Sequence, residues 1–210
     1  VVTFRAVEIG MVLDAALLAL ALAYQFRVGE EDKLRAEQLA RLDPLTGINN
    51  RRAFYDKAAT VWNVSQRNNR ALSLILLDID QFKQVNDVHG HAFGDEVLTT
   101  VSRAMMGAIR DQDVAARWGG EEFIVLLPET DIREAAVLAE RLRGAIADIL
   151  LKHQGADIAV TASLGVAQRD KHHANLDALI SSADKCLYRS KEQGRNRVSH
   201  DNAGPVAEVP

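Results

Sequence analysis

Asp113-Val-Ala-Ala-Arg-Trp-Gly119-Gly120-Glu121-Glu122-Phe-Ile-Val-Leu-Leu127 decides the fold, because two strand-like runs flank a pair of glycines. Runs of Val, Ala and aromatic residues on either side of Gly-Gly read as an antiparallel hairpin with a tight turn. Glycine also admits positive φ and lets a ligand come close to the backbone. Two carboxylates, Glu121 and Glu122, follow that side-chain-free turn, a setting suited to metal and phosphate. A Gly-Gly pair alone marks only a turn, so the chemistry has to come from the rest of the chain.

Outward from the hairpin, the pattern alternates between helix and strand. Residues 50–66 read as helix, 71–79 as a buried strand, and 81–88 and 95–110 as helices. On the far side, 131–151 reads as an amphipathic helix, 158–167 as a Val- and Thr-rich strand, 176–193 as a helix and 197–199 as a short strand. This order predicts an α/β fold with a central mixed sheet flanked by helices.

The N-terminal fifth differs in character. Residues 6–26 are mostly apolar, broken by Glu8 and Asp14, and residues 1–27 are expected to be an apolar helix ending a transmembrane segment. A buried or dimerising soluble helix is the alternative. Arg27 and Lys33 suit a cytoplasmic exit. Residues 28–42 form a charged helical linker with sparse leucines, and Asp43-Pro44-Leu-Thr-Gly47 breaks it, placing a domain boundary at residue 43. The main domain then spans 43–200, and residues 201–210 read as a disordered tail. The chain opens on Val1 rather than Met, as expected of part of a longer protein.

At 210 residues the chain can bury one full core, and its net charge of -4 argues against wholesale nucleic-acid binding. The single cysteine, Cys186, supports neither a disulfide framework nor a cysteine zinc site within one chain.

The strand Leu72-Ser-Leu-Ile-Leu-Leu-Asp78-Ile79-Asp80 is apolar until two carboxylates appear at its C-terminal end, where α/β folds place ligands. Asp80 reads as the N-cap of the helix beginning at Gln81. Asp78 is costly to bury without a cation, and with Glu121 it offers the hard oxygens that Mg²⁺ takes alongside water and phosphate. Lys83, Lys191 and Arg195, the last two at i and i+4 on one late helix, are candidate phosphate-neutralising cations. Asn86 and Asp95 carry the donors and acceptors that a guanine edge requires. His89 and His91 lack a third ligand at zinc-like spacing and read as loop and pocket-wall residues.

These segments resemble one family, the GGDEF-domain diguanylate cyclases of bacteria. The likeness runs through Asp43-Pro-Leu-Thr-Gly-Ile-Asn-Asn-Arg-Arg52, Asp78-Ile-Asp-Gln-Phe-Lys-Gln-Val-Asn-Asp87, Gly90-His-Ala-Phe-Gly-Asp95 and Arg117-Trp-Gly-Gly-Glu-Glu-Phe123. It continues through Ala162-Ser-Leu-Gly-Val166 and Ala183-Asp-Lys-Cys-Leu-Tyr-Arg-Ser-Lys-Glu-Gln-Gly-Arg-Asn196. Glu121 stands where the family's name has Asp.

The resemblance implies a ferredoxin-like palm similar to that of adenylyl cyclases, and condensation of two GTP molecules into cyclic di-GMP with release of two pyrophosphates. Each subunit of a homodimer would hold one GTP. The resemblance assigns Mg²⁺ or Mn²⁺ to Asp78, the carbonyl of Ile79 and Glu121, and the guanine and ribose to Asn86, His91 and Asp95. Gly119 and Gly120 would leave room for the triphosphate, Lys83, Lys191 and Arg195 would steady it, and Glu121 or Glu122 would deprotonate the 3′-hydroxyl. Arg110-Asp-Gln-Asp113 matches the family's inhibitory motif, so Arg110, Asp113 and Arg141 would bind the product. A catalytically silent domain that only binds GTP or cyclic di-GMP is the alternative. The expected setting is the cytoplasmic side of a bacterial inner-membrane protein, with membrane attachment through the N-terminal segment.

Overall fold

The computed structural model of the protein describes residues 17–20, 22–27 and 41–201. It divides into two units, residues 1–40 and 41–210. In the first, 17–20 and 22–27 are helical and exposed. The rest of the expected 1–27 helix, residues 28–40 of the linker and the tail beyond 201 lie outside the described residues. Among the described residues no helix is long and apolar enough to cross a membrane.

In the second unit Arg41 and Leu42 are not helical, contrary to the linker expectation; Leu42 makes an isolated bridge with Asn49. The elements that follow are β1 (Asn49–Asn50), α1 (Arg51–Asn68), β2 (Leu72–Ile79), α2 (Phe82–His89), α3 (His91–Ala108), β3 (Val114–Gly119) and β4 (Glu122–Pro128). Then come α4 (Ile132–Ala147), β5 (Leu150–His153), β6 (Ala156–Ala159), β7 (Ala162–Gln168), α5 (Leu176–Glu192) and β8 (Val198–His200). Six strands form one mixed sheet in the order β1-β3-β4-β2-β7-β8, with β2 antiparallel to both β4 and β7. This is the expected palm.

Side chains of β2 alternate between two cores, as a strand requires. Ile75, Leu77 and Ile79 pack with Phe123, Val125 and Leu127 of β4 against α2, α3 and α4. Leu72, Leu74 and Leu76 pack with Ile124 and Leu126 against α1 and α5, where Phe54, Trp62, Ala183 and Leu187 close the layer. Caps fix the helix starts. Asn50 accepts from the backbone N–H of Ala53, and Asp131 and Glu134 form a capping box on α4.

Two expectations change. The long helix over 131–151 stops at Ala147, and Leu150–His153 instead pairs with Ala156–Ala159 in a separate two-stranded sheet turning at Gln154 and Gly155. The expected strand over 158–167 is thereby split between β6 and β7. The apolar pair Leu150-Leu151 continues the helical period, so only the Gln-Gly turn separates the two readings.

Candidate active site

Asp78 is the penultimate residue of β2 and stands opposite Glu122 of β4 and Ser163 of β7. Alternation with Leu76 and Ile124 puts Asp78 and Glu122 on the face that carries α5. Asp78 is only 7% exposed. Lys191 near the end of α5 reaches it, Nζ to Oδ2, at 2.7 Å. Burial pushes the Asp78 carboxyl above its ordinary value, Lys191 pulls it back, and the charges of Glu121 and Asp80 push it up again. Glu122 is raised as well, first by burial, then by the Asp78 charge, with Asp184 and Glu121 adding to the push. One ammonium therefore faces several crowded carboxylates.

The hairpin differs from the sequence expectation in one detail. The two-residue turn is Gly120-Glu121, not Gly119-Gly120, because Gly119 pairs with Glu122 and the register slips between Arg117 and Gly119. Gly120 has φ +51, the left-handed region that favours glycine. Glu121 thus sits in the turn itself, with its carbonyl accepting from the backbone N–H of Ile79 at 3.3 Å.

Arg117 holds that turn. Its Nε and Nη2 donate to the Gly120 carbonyl at 2.9 and 2.7 Å, and its Nη1 donates to Asp43 at 3.1 Å. Asp43 Oδ1 also accepts from the backbone N–H and hydroxyl of Thr46. Burial alone would raise the Asp43 carboxyl, but the Thr46 hydrogen bonds and Arg117 outweigh it and hold the group below its ordinary value. The Asp-Pro-Leu-Thr segment, read from sequence as a boundary, is therefore a brace for the hairpin 74 residues away. Sequence spacing gives no sign of such a pairing.

Asp80 is corrected. Gln81, at φ 55, is the N-cap residue of α2, and no side chain caps that helix. The Asp80 carboxylate instead accepts from the hydroxyls of Thr161 and Ser163 at 2.7 and 2.6 Å and from the backbone N–H of Asn196 at 3.0 Å. Arg195 is corrected too. The late helix ends at Glu192, and Gly194, Arg195 and Asn196 all take positive φ, so Arg195 lies in an exposed turn rather than one helical turn beyond Lys191. Its N–H donates to the Ser190 carbonyl, which closes that turn at 3.0 Å.

Lys83 is exposed on α2. Asn86 is half-buried, with its amide lying over Gly94 of α3, where an added Cβ would come within 2.0 Å of Asn86 Oδ1. His91 is corrected from a loop position to the first residue of α3, exposed, one turn ahead of exposed Asp95. His89 ends α2, its ring 5.1 Å from those of Phe93 and His153.

The donor set near β2 is two carboxylates, Asp78 and Glu121, with the adjoining backbone, while no cluster of three or more ligating side chains forms among the described residues. Hard oxygens of this number, close enough that the Glu121 charge acts on Asp78, fit Mg²⁺ that keeps water and phosphate as its other ligands.

A cavity of ≈ 360 Å³ opens on the opposite face of the sheet, with Arg110, Asp113 and Arg141 in its wall beside Arg133 and Leu127. Asp113 Oδ2 accepts from the backbone N–H of Arg110 at 2.8 Å, and Oδ1 is buried with no partner among the described residues. Burial raises the Asp113 carboxyl. Arg141 donates to the Ala108 carbonyl.

Residues 40–197 match the family model described as diguanylate cyclase, GGDEF domain. Diguanylate cyclase DgcM of Escherichia coli K12 is 39% identical over 175 residues, which is 80% of this chain and 41% of DgcM. The chain thus spans about two-fifths of that relative's length. Among solved structures, the GGDEF domain of DgcB from Caulobacter crescentus in complex with c-di-GMP has a TM-score of 0.74 at 34% identity, over 77% of this chain and 95% of that one. The active GGEEF domain of a diguanylate cyclase from Vibrio cholerae has a TM-score of 0.69 at 32% identity, over 75% of this chain and 99% of that one. A family match over most of the chain, joined to a sheet that sets Asp78 against Glu122, carries one conclusion: the chain belongs to the GGDEF family of diguanylate cyclases.

Proposed function

We propose that the protein condenses two GTP molecules into cyclic di-GMP with release of two pyrophosphates. The observation that carries this reading is buried Asp78 opposite half-buried Glu122 with Lys191 against it, in a chain similar to diguanylate cyclases such as DgcM. Asp78, the Ile79 carbonyl and Glu121 would hold Mg²⁺ or Mn²⁺, which when bound neutralises phosphate charge and favours ionisation of the 3′-hydroxyl. Asn86 and Asp95 take the guanine edge, with His91 at the rim. Gly119 and Gly120 leave the hairpin low for the triphosphate. Lys83, Lys191 and Arg195 balance its charge, and Lys191 exchanges part of its contact with Asp78 for phosphate as substrate arrives.

Each subunit holds one nucleotide, and a homodimer apposes two half-sites. Glu121 or Glu122 accepts the 3′-proton, the 3′-oxygen bonds to the partner nucleotide's α-phosphorus, and the bond to the bridging oxygen breaks to free pyrophosphate. We place this on the cytoplasmic side, where GTP resides. The cavity at Arg110, Asp113 and Arg141 receives the product and provides feedback. The c-di-GMP held by the DgcB domain supports a product-binding role. A silent binding module is disfavoured because both carboxylates and both hairpin glycines are present.

The test is incubation of the protein with GTP and Mg²⁺, with product identified by mass. Cyclic di-GMP is expected, and its formation should fall at least about a hundredfold in Asp78→Ala and in Glu122→Gln. Bound but unconverted GTP would favour the silent module.

A further inference from the structure

A second cleft lies on the face of the sheet that carries α5. It measures ≈ 240 Å³ and is lined by Glu122, Asp184, Lys185, Leu187, Tyr188 and Lys191. Glu122 and Lys191 belong to the site above; Asp184, Lys185 and Tyr188 are new to it. Tyr188 is 61% exposed, although its hydroxyl is tied to Glu192 one turn along the helix. Lys185 is exposed and joins no ion pair among the described residues.

Position separates this cleft from the guanine end of the chain's own nucleotide. Asn86 and Asp95 sit on α2 and α3, which pack on one face of the sheet, whereas Asp78, Glu122 and α5 occupy the other. The carboxylates at the tips of β2 and β4 therefore stand between two spaces, of which the guanine-reading residues border only one. The cleft is also smaller than the roughly 300–1,000 Å³ of sites that enclose a whole ligand. That suits a molecule presented in part, with its remainder held elsewhere. Two ammoniums, two carboxylates and a phenol ring match a phosphate ester with a flat base or sugar rather than an apolar group.

We propose that this cleft receives the nucleotide carried by a second copy of the chain, with Tyr188 as the platform for its base or ribose and Lys185 facing its phosphate. The inference rests on the two-half-site reaction proposed above. Tyr188 and Lys185 then bind the incoming nucleotide only when two copies meet, beside Glu122, one of the two carboxylates proposed to take the 3′-proton.

The experiment compares the full chain with its Tyr188→Ala, Tyr188→Phe and Lys185→Gln variants. Two quantities are measured: kcat for cyclic di-GMP formation, and the Kd of single chains for α,β-methylene GTP at dilution. Removing the ring should lower kcat about tenfold or more and leave the Kd within about twofold, as expected for a lost stacking contact to the incoming nucleotide. Phe should restore kcat, and Lys185→Gln should lower it with Kd unchanged. Unchanged kcat in Tyr188→Ala, a parallel loss of analogue binding, or no rescue by Phe overturns the subsite. Should Tyr188→Ala fail to fold, the exposed Lys185→Gln decides: unaltered kcat overturns the proposal and a selective loss upholds it. A wild-type chain that binds the analogue yet forms no cyclic di-GMP defeats the cyclase reading itself, whereas an active wild type with indifferent variants defeats only this inference.

Discussion

At the scale of single residues, Asp78 is an expensive group placed where its expense is useful. Burying a carboxylate costs several kcal/mol unless it is paired, roughly as for any buried ion. Lys191 supplies the pairing, and burial still leaves the carboxyl above its ordinary value of 3.8. The sign for stability follows. A folded pKa above the unfolded one means that the native state holds its proton more tightly, so stability is full below the unfolded value and is lost as pH rises through the folded one. Glu122, also raised, adds in the same direction. Without metal or nucleotide, wild type should therefore lose more Tm than Asp78→Asn as pH climbs from about 4 to about 7, in the range where carboxylates titrate. Parallel melting curves for the two proteins would contradict this, and Mg²⁺ should restore Tm only in wild type. On the opposite face, Arg110→Ala should relieve inhibition by added cyclic di-GMP without lowering the initial rate, measured by progress curves with and without product.

At the scale of elements, the hairpin and its brace act together. Half-buried Arg117 donates two hydrogen bonds to the carbonyl of exposed Gly120 and its remaining nitrogen to half-buried Asp43. Arg117→Ala should cost about 1–3 kcal/mol by denaturant unfolding, as for buried polar groups left unpaired, and should lower kcat by loosening the turn that carries Glu121. The α2–α3 corner gives a second case. A Cβ on Gly94 meets the flexible end of Asn86, so in Gly94→Ala the amide yields and the backbone does not. GTP KM should rise about tenfold with little change in Tm, since small misplacements of a binding group carry such costs. If Asn86→Ala and Gly94→Ala add fully in the double variant, the two do not act through one contact.

These elements also show what the sequence could reveal. The β3–β4 hairpin was legible because strand-like runs bracket Gly119-Gly120, and Asp78 because a carboxylate follows an unbroken apolar run. Local pattern could not reveal Arg117 with Asp43, nor Asp80 with Thr161, Ser163 and Asn196, since those partners are 74 to 116 residues distant. The β5–β6 hairpin was hidden for another reason. Leu150 and Leu151 fit both a helical stripe and a strand, and only the turn at Gln154 and Gly155 decides between them.

At the scale of the whole molecule, activity should depend on encounter. If each subunit supplies one nucleotide, the rate per subunit should fall on dilution toward zero, with second-order dependence on protein at low concentration. A dilution series of initial rates checks this, and a constant specific activity would rule out apposed half-sites. The sheet separates the acidic pair on the α5 face from the arginine-lined cavity on the α4 face, so the proposed synthesis and its proposed restraint would occupy opposite sides of one layer.

The clamp at Asp80 also bears on how the protein is made. Its carboxylate is satisfied only when Thr161, Ser163 and Asn196 have all arrived, and Asp78 gains its ammonium only with α5. A chain that stopped after β7 would leave Asp80 without the Asn196 N–H and Asp78 without Lys191. The proposed synthesis would therefore require a domain translated at least through Asn196.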